Sequence, residues 1–191
     1  MFKKLSCDCI AALIPTYTPE GDSTILIRTD GSYQKIDRRV KTVLNHLARS
    51  LSIDLVSLKA KSALATEKSN FQPLPLAPGL VLCPVKLRQP LVPGDTTVGY
   101  INFHSVSSVT KHHTKPYQST VRLMGGTDIP ILWTTTTVKQ RLQQARLALS
   151  HTAYDSEVPL ELSIHLYHII KAIYRMTSSR HPSDQNFVPI P

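Results

Sequence analysis

The stretch from Leu80 to Ser150 constrains the fold more than any other, because its hydrophobic period changes partway along. Three apolar runs come first: Leu80-Val81-Leu82-Cys83, then Val98 to Val109, then Val121 to Met124 and Ile129 to Trp133 on either side of Gly125-Gly126. A Gly-Gly pair between β-rich runs marks a hairpin, since both central positions can take positive φ without a Cβ penalty. From Thr134 the period becomes helical. Thr134 to Thr137 offer hydroxyl N-caps, Val138, Leu142, Ala145 and Leu149 form an apolar face, and Lys139, Arg141 and Arg146 fall on the polar side. The expectation is an antiparallel sheet closed by a helix.

Upstream, Cys9 to Ile14 reads as a strand ended by Pro15, and Asp30-Gly31 between Thr24–Thr29 and Ser32–Ile36 predicts a tight type I′ hairpin. From Asp37 as N-cap, Val40, Val43, Leu44, Leu47, Ala48 and Leu51 make one face of a helix. A second helix follows Ser52 as its cap, with Leu55, Leu58 and Leu64 inward and Lys59 and Lys61 outward. This pair has the pacing of a helix-turn-helix, which would put Ser57, Lys59 and Lys61 on a recognition helix, and equally that of a generic helix pair. Phe71 to Gly79, with Pro73, Pro75 and Pro78, reads as a stiff extended connector between a helical N-terminal half and the strand-rich block.

After Ser150, Asp155 or Ser156 caps a last helix with Pro159 in its first turn. Leu160 to Tyr174 leave it apolar almost all round, so it must be buried in its own core or against another subunit, with Leu166, Ile170, Ile173 and Tyr174 as interface candidates. Thr177 to Pro191 is polar and proline-containing and reads as a disordered tail. The whole is expected to be α+β: an antiparallel sheet with hairpins packed against several amphipathic helices. One domain spans 1–176, made of an N-terminal hairpin and helices (1–70) and a strand-rich block with helices (79–176).

The 191-residue chain carries a formal charge of +9, which favours polyanionic partners. Lys59, Lys61, Lys86, Arg88, Arg141 and Arg146 are the candidate phosphate contacts, with Lys111 and Lys115 of the basic tip Lys111-His112-His113-Thr114-Lys115. That tip suits phosphate contact or plain solvation, and the charge as a whole suits DNA or a scaffold that binds an acidic protein. No 18-residue apolar run is present. Met1-Phe2-Lys3-Lys4-Leu5 has the charge of a signal n-region, but the apolar run after it stops at Pro15 without a small-residue cleavage site, so the expected location is cytoplasmic.

Three cysteines, an odd number, fit a reducing compartment. Cys7 and Cys9 are one residue apart, where metal knuckles usually need two to four between ligands, and Cys9 and Cys83 read as small buried hydrophobes. His165 and His168 lie one helical turn apart with no other ligands signalled, so neither metal nor cofactor is expected. There is no G-x-S-x-G elbow, Walker loop, Rossmann glycine triplet or H-E-x-x-H, and the 13 acidic residues offer no evident acid and base pair. Catalysis is therefore the weaker class.

At the central block the order of features resembles the ComK family of competence transcription factors. Leu82-Cys83-Pro84 stands for the family's apolar strand ending in proline, and Tyr100-Ile101-Asn102-Phe103-His104 for its aromatic-Ile strand carrying His. Gly125-Gly126 stands for its glycine turn, and Thr134 through Arg141 and Gln144 for its Ser/Thr-started helix with Gln and Arg. More loosely, Ser50-Leu51-Ser52 and Lys59-Ala60-Lys61 resemble a Gly-Ser-Ser...Gly-Arg-Lys segment. Tyr100 replaces the usual Trp, the helical Gln and Arg are exchanged, and the glycines of the Gly-Arg-Lys segment are missing. The resemblance implies a transcription activator that binds paired A/T-rich boxes as an oligomer, mainly through the minor groove. It also implies control by an adaptor that delivers the activator to a Clp protease, through a segment of Phe, three residues and Pro that Phe187 and Pro191 match in spacing.

Overall fold

Nine strands and three helices make up the described part of the computed structural model, which covers residues 9–19, 21–67 and 70–155. The strands are β1 (Ile10–Thr18), β2 (Gly21–Arg28), β3 (Tyr33–Ile36), β4 (Leu74–Ala77), β5 (Leu80–Lys86), β6 (Val98–Asn102), β7 (Val106–Lys111), β8 (Ser119–Leu123) and β9 (Asp128–Ile131). The helices are α1 (Val40–Ser50), α2 (Leu55–Thr66) and α3 (Thr135–Asp155). Six strands form one antiparallel sheet in the order β3-β2-β1-β6-β5-β4, and three form another in the order β7-β8-β9. The fold class is α+β. The described residues up to Ala153 form one compact unit.

Alternation along the strands sorts side chains into two cores, one on each face of the larger sheet. Ile10, Leu13, Leu26, Leu80 and Leu82 meet Val40, Val43, Leu44, Leu47 and Ala48, the predicted face of α1. On the opposite face Ala11, Ala12, Ile27, Val85 and Ile101 meet Val121, Leu123, Ile129 and Ile131 of the small sheet and Val138 of α3. Ala145 of α3 covers Val81 and Cys83 beside them. A bulge between Ile10 and Ala12 puts Ala11 and Ala12 on the same face, where their small side chains let the two sheets approach. Leu80 to Val85 are buried throughout, as expected of a strand covered on both sides.

Several expectations are corrected by these pairings. Pro15 does not end β1, which runs on to Thr18 with Pro15 opposite Thr24. Its ring faces Gly99 of β6, and pairing to β6 stops at Ala12 and Leu13, so no ladder bond needs the missing N–H. The proline-rich connector is an edge strand: β4 pairs with β5 and buries Leu74 and Leu76. Consequently the N-terminal hairpin and the later block are not separate halves, since β1 pairs with β6 inside one sheet. Asp37 does not cap α1, whose N-cap position is Arg39 with no side-chain bond. Asp54, not Ser52, caps α2, accepting from the N–H groups of Val56 (3.0 Å) and Ser57 (3.2 Å). Leu64 points outward at 82% exposure, and α2 turns Ser62 and Thr66 inward instead.

The run Val98 to Val109 is also not one strand. It breaks at Asn102 into a 3-10 turn, Phe103–Ser105, where the chain leaves the large sheet for the small one. The buried Asn102 amide uses its full bonding capacity there. Its Nδ2 donates to the carbonyls of Ile10 (3.0 Å) and Gly79 (2.9 Å), and its Oδ1 accepts from the N–H groups of Val81 and His104 (both 3.2 Å).

Both hairpins close with the same three-residue loop. The N–H of Gly31 bonds the Arg28 carbonyl, and that of Gly126 the Leu123 carbonyl, each at 3.0 Å. Only the last loop residue takes positive φ, +85° at Gly31 and +81° at Gly126, which is a type I turn with a bulge rather than the predicted type I′. The two loops touch through backbone, because a Cβ on Gly31 would sit 2.6 Å from the Gly125 carbonyl oxygen and one on Gly125 would sit 2.7 Å from the Gly31 nitrogen.

Two stability predictions follow from these contacts. Asn102→Leu, close in size, strands two carbonyls and two N–H groups and should cost about 3 kcal/mol or more in chemical denaturation; a loss under about 1 kcal/mol would mean water replaces the amide. Gly31→Ala should cost about 2 kcal/mol or more, whereas Gly79→Ala, with φ of +78° but open space around it, should cost only about 1 kcal/mol. Equal losses would remove the loop-to-loop contact as a source of stability.

Candidate nucleic-acid interface

The acidic side chains of the compact unit are largely occupied by local partners. Asp22 pairs with Arg88 and Arg39, Asp37 with Lys35 at 3.4 Å, and Asp128 with Arg122 at 2.9 Å. Asp30 accepts from the Ser32 N–H at 2.8 Å, Asp54 caps α2, and Asp95 accepts from Tyr17 Oη at 2.5 Å. Bonds from Tyr17 and then the N–H groups of Val92 and Leu91 hold the Asp95 carboxyl below the usual carboxylate range, and bonds from Ser57 and Val56 do the same for Asp54. Asp30, Asp54 and Asp95 thus fasten turns and a helix start, while Asp22, Asp37 and Asp128 pair with cations.

The expected phosphate contacts divide into two groups. Lys59 and Lys61 are exposed on α2, Lys111 and Lys115 on the β7–β8 tip, and Arg146 on the outer face of α3, while Lys86 is half-buried at the end of β5. The tip is built rather than loose: His112 Nδ1 bonds Thr120 Oγ1 at 2.8 Å, its ring meets Tyr117 edge-on at 5.6 Å, and Gln118 Nε2 donates to the Leu132 carbonyl at 2.9 Å. The Leu132 N–H in turn donates to the Lys86 carbonyl at 2.9 Å. The junction between β9 and α3 therefore gathers Lys86 and the basic tip next to the start of α3, which Thr134 caps by accepting from the Thr137 N–H at 3.2 Å.

Arg88 and Arg141 belong to the second group, because their guanidiniums are spent internally. The Arg88 side chain is only 12% exposed, ion-paired to Asp22, stacked 3.6 Å over the Tyr17 ring, and bonded through Nε to the Thr96 carbonyl at 2.7 Å. Arg141 does not stand on the solvent side as its helical position implied. It lies 5.2 Å from the Phe71 ring and 5.3 Å from the Trp133 ring, which meet edge-to-face at 5.2 Å, and it donates to the Asn70 carbonyl at 3.3 Å and to Gln144 Oε1 at 3.1 Å. Arg141 thereby ties the chain beyond α2, where Phe71 adopts a φ of +58°, to the start of α3.

Sequence reasoning passed over Arg38, Arg39 and Lys41, all exposed where α1 begins. Their signal was the Arg38-Arg39 doublet at a helix start with no acid in its first turn. Cys7, the last apolar segment with Leu166, Ile170, Ile173 and Tyr174, the His165/His168 pair, and Phe187 and Pro191 lie outside the described residues. Among the described residues no three His, Cys, Asp or Glu side chains converge, and no helix is long and apolar enough to cross a membrane. No family model, curated protein or solved structure matches the chain.

Cys83 is buried between β5 and α3, and burial pushes its thiol up to about 12. Its reaction with an aromatic disulfide reagent at pH 8 should proceed only at the rate of unfolding. Labelling at the speed of a free thiol in the native state would place it at an accessible site instead.

Proposed function

We propose that the chain is a DNA-binding transcription regulator of the competence-activator type, one that holds A/T-rich duplex by its sugar-phosphate backbone. The observation that carries this reading is the surplus of exposed cations: lysines of α2, the β7–β8 tip and α3 and the Arg38-Arg39 doublet face water, while Asp30, Asp54 and Asp95 fasten turns and a helix start. The carboxylates keep their charge, but a net charge of +9 leaves a positive field for an external polyanion. The likeness to the ComK family supports the same reading through Tyr100 to His104 and Thr134 to Gln144. Oligomerisation through the last apolar segment, and adaptor control through Phe187 and Pro191, form part of this proposal.

A second reading has one observation in its favour. Ser52 takes φ of +58° between α1 and α2, the left-handed residue that a helix-turn-helix usually obtains from glycine, and Asp54 then caps α2 with Ser57, Lys59 and Lys61 outward. Drugs that fill the minor groove should displace the protein under the first reading and leave it bound under the second.

Fluorescence anisotropy on an A/T-rich duplex at several salt concentrations tests the charge assignment. Lys59→Ala/Lys61→Ala and Lys111→Ala/Lys115→Ala should each weaken binding and reduce the slope of log K against log salt by about 2, roughly 0.9 per lost phosphate contact. Arg88→Ala and Arg141→Ala should instead lower the melting temperature. Absence of binding to any duplex in dilute buffer would overturn the reading, and unchanged salt slopes would overturn the residue assignment.

A further inference from the structure

Between β5 and β6 the chain forms a tip, Pro90-Leu91-Val92-Pro93, whose two apolar side chains stand 75% and 59% exposed. Beneath them the backbone is held firmly. Asp95 Oδ2 accepts from the N–H groups of Leu91 (2.9 Å) and Val92 (3.0 Å) and from Tyr17 Oη, which itself accepts from the Leu91 N–H at 3.1 Å. Arg88 lies over the Tyr17 ring and binds the Thr96 carbonyl on the returning arm. Two prolines bracket the tip and fix its φ angles at either side.

The exposed cations at the start of α1 are linked to this tip through Arg88 and Asp22. Arg88 pairs with Asp22, and Asp22 with Arg39 at 3.7 Å; Arg39 is 69% exposed and adjoins the exposed Arg38 at the start of α1. Asp95, Tyr17 and the flanking prolines leave the backbone of this exposed apolar tip little freedom. Such rigidity is of use where an apolar group must be driven into something that resists it. In a DNA duplex that resistance is base stacking, which proteins overcome from the minor groove with rigid Leu, Ile, Phe, Met or Pro wedges beside cations that hold the flanking phosphates.

We propose that Leu91 and Val92 form a wedge that enters the minor groove and partly unstacks a flexible pyrimidine–purine step, with Arg38 and Arg39 against the adjacent phosphates. This rests on the DNA-binding reading above and adds its mechanical part, since bent duplex brings the cations elsewhere on the body closer to the backbone. Steps such as TA unstack at least cost, so the wedge also supplies preference for A/T-rich sites without hydrogen bonds to base edges.

The test uses the full-length protein and a duplex carrying 2-aminopurine at a central TA step, with donor and acceptor dyes at its ends. Wild type should raise 2-aminopurine fluorescence and shorten the end-to-end distance. Leu91→Ser/Val92→Ser should lose both signals and bind about 10- to 100-fold more weakly, reflecting the contacts that bending permits. Leu91→Met/Val92→Ile should keep both. The replaced side chains are exposed, so circular dichroism and melting temperature of both variants should match wild type. Undiminished bending and unstacking by the serine variant, with affinity unchanged, would overturn the wedge while leaving DNA binding intact. Loss of binding by the serine variant to vesicles of anionic phospholipid, with its DNA behaviour unchanged, would assign the tip to a membrane surface and overturn it as well. Failure of wild type to bind any duplex would remove the parent reading together with the wedge.

Discussion

The architecture depends on the buried amide of Asn102. Two sheets of different width must be joined by a chain that leaves one and enters the other, and such a crossing exposes backbone groups that neither ladder can satisfy. Asn102 supplies two donors and two acceptor positions at that point, and all four are used, on β1, on the β4–β5 turn, on β5 and on the 3-10 turn itself. Leucine would bury as well but leave four backbone groups unpaired; aspartate would offer acceptors where two carbonyls need donors. The mutual contact of Gly31 and Gly125 complements this crossing, because it sets two hairpin loops of different sheets backbone to backbone. Polar satisfaction and absent side chains thus fix the sandwich, while the apolar clusters supply the bulk of the driving force.

The same economy governs the charges. In a basic chain with few carboxylates, each acid that bonds locally keeps its charge and gains order for a loop or a neighbouring cation. Asp95 illustrates this: one carboxylate oxygen organises Tyr17, Leu91 and Val92, and the neighbouring Asp22 fixes Arg88. The positive field itself comes from the net charge of +9.

Local signals in the sequence set some features that one element decides by itself, though they misplaced the caps of α1 and α2 and the direction of Leu64. The face of α1, the N-cap of α3 and both hairpin positions followed from period and turn chemistry, because those interactions span only a few residues. Errors arose wherever the partner was distant. Pro15 and Pro75 both read as strand breakers, yet each sits where pairing needs no N–H, a fact fixed by how far β6 extends and by which strand forms the edge. Type I′ and bulged loops both accept Asp-Gly and Gly-Gly, so the contact between the two loops was invisible from either one. Arg141 occupies a polar helical position, and only the return of Phe71 beside Trp133 gives its guanidinium an aromatic partner. Of the candidate interface, Lys59, Lys111, Lys115 and Arg146 stand exposed where helix face and loop position put them, whereas Arg88 and Arg141 are drawn in by partners distant in sequence.

That difference between the two cation types bears on how DNA would be read. A guanidinium is a planar fork that can address two acceptors of a guanine at once, the commonest base-specific contact in the major groove, whereas an ammonium is a point charge suited to phosphates. In this body Arg88, Arg122 and Arg141 point their forks at carboxylates, carbonyls and rings, and the outward positions of α2 and the β7–β8 tip are lysines. Under the proposed function, the lysines of α2 and of the β7–β8 tip would hold phosphates and add little readout of sequence by hydrogen bonding. Part of the selectivity would then come from the cost of deforming the DNA, which varies from step to step and is lowest where stacking is poorest. A rigid apolar tip is the kind of part that converts that variation into preference, and a fastened loop performs it better than a mobile one because the work of unstacking is not lost in bending the protein.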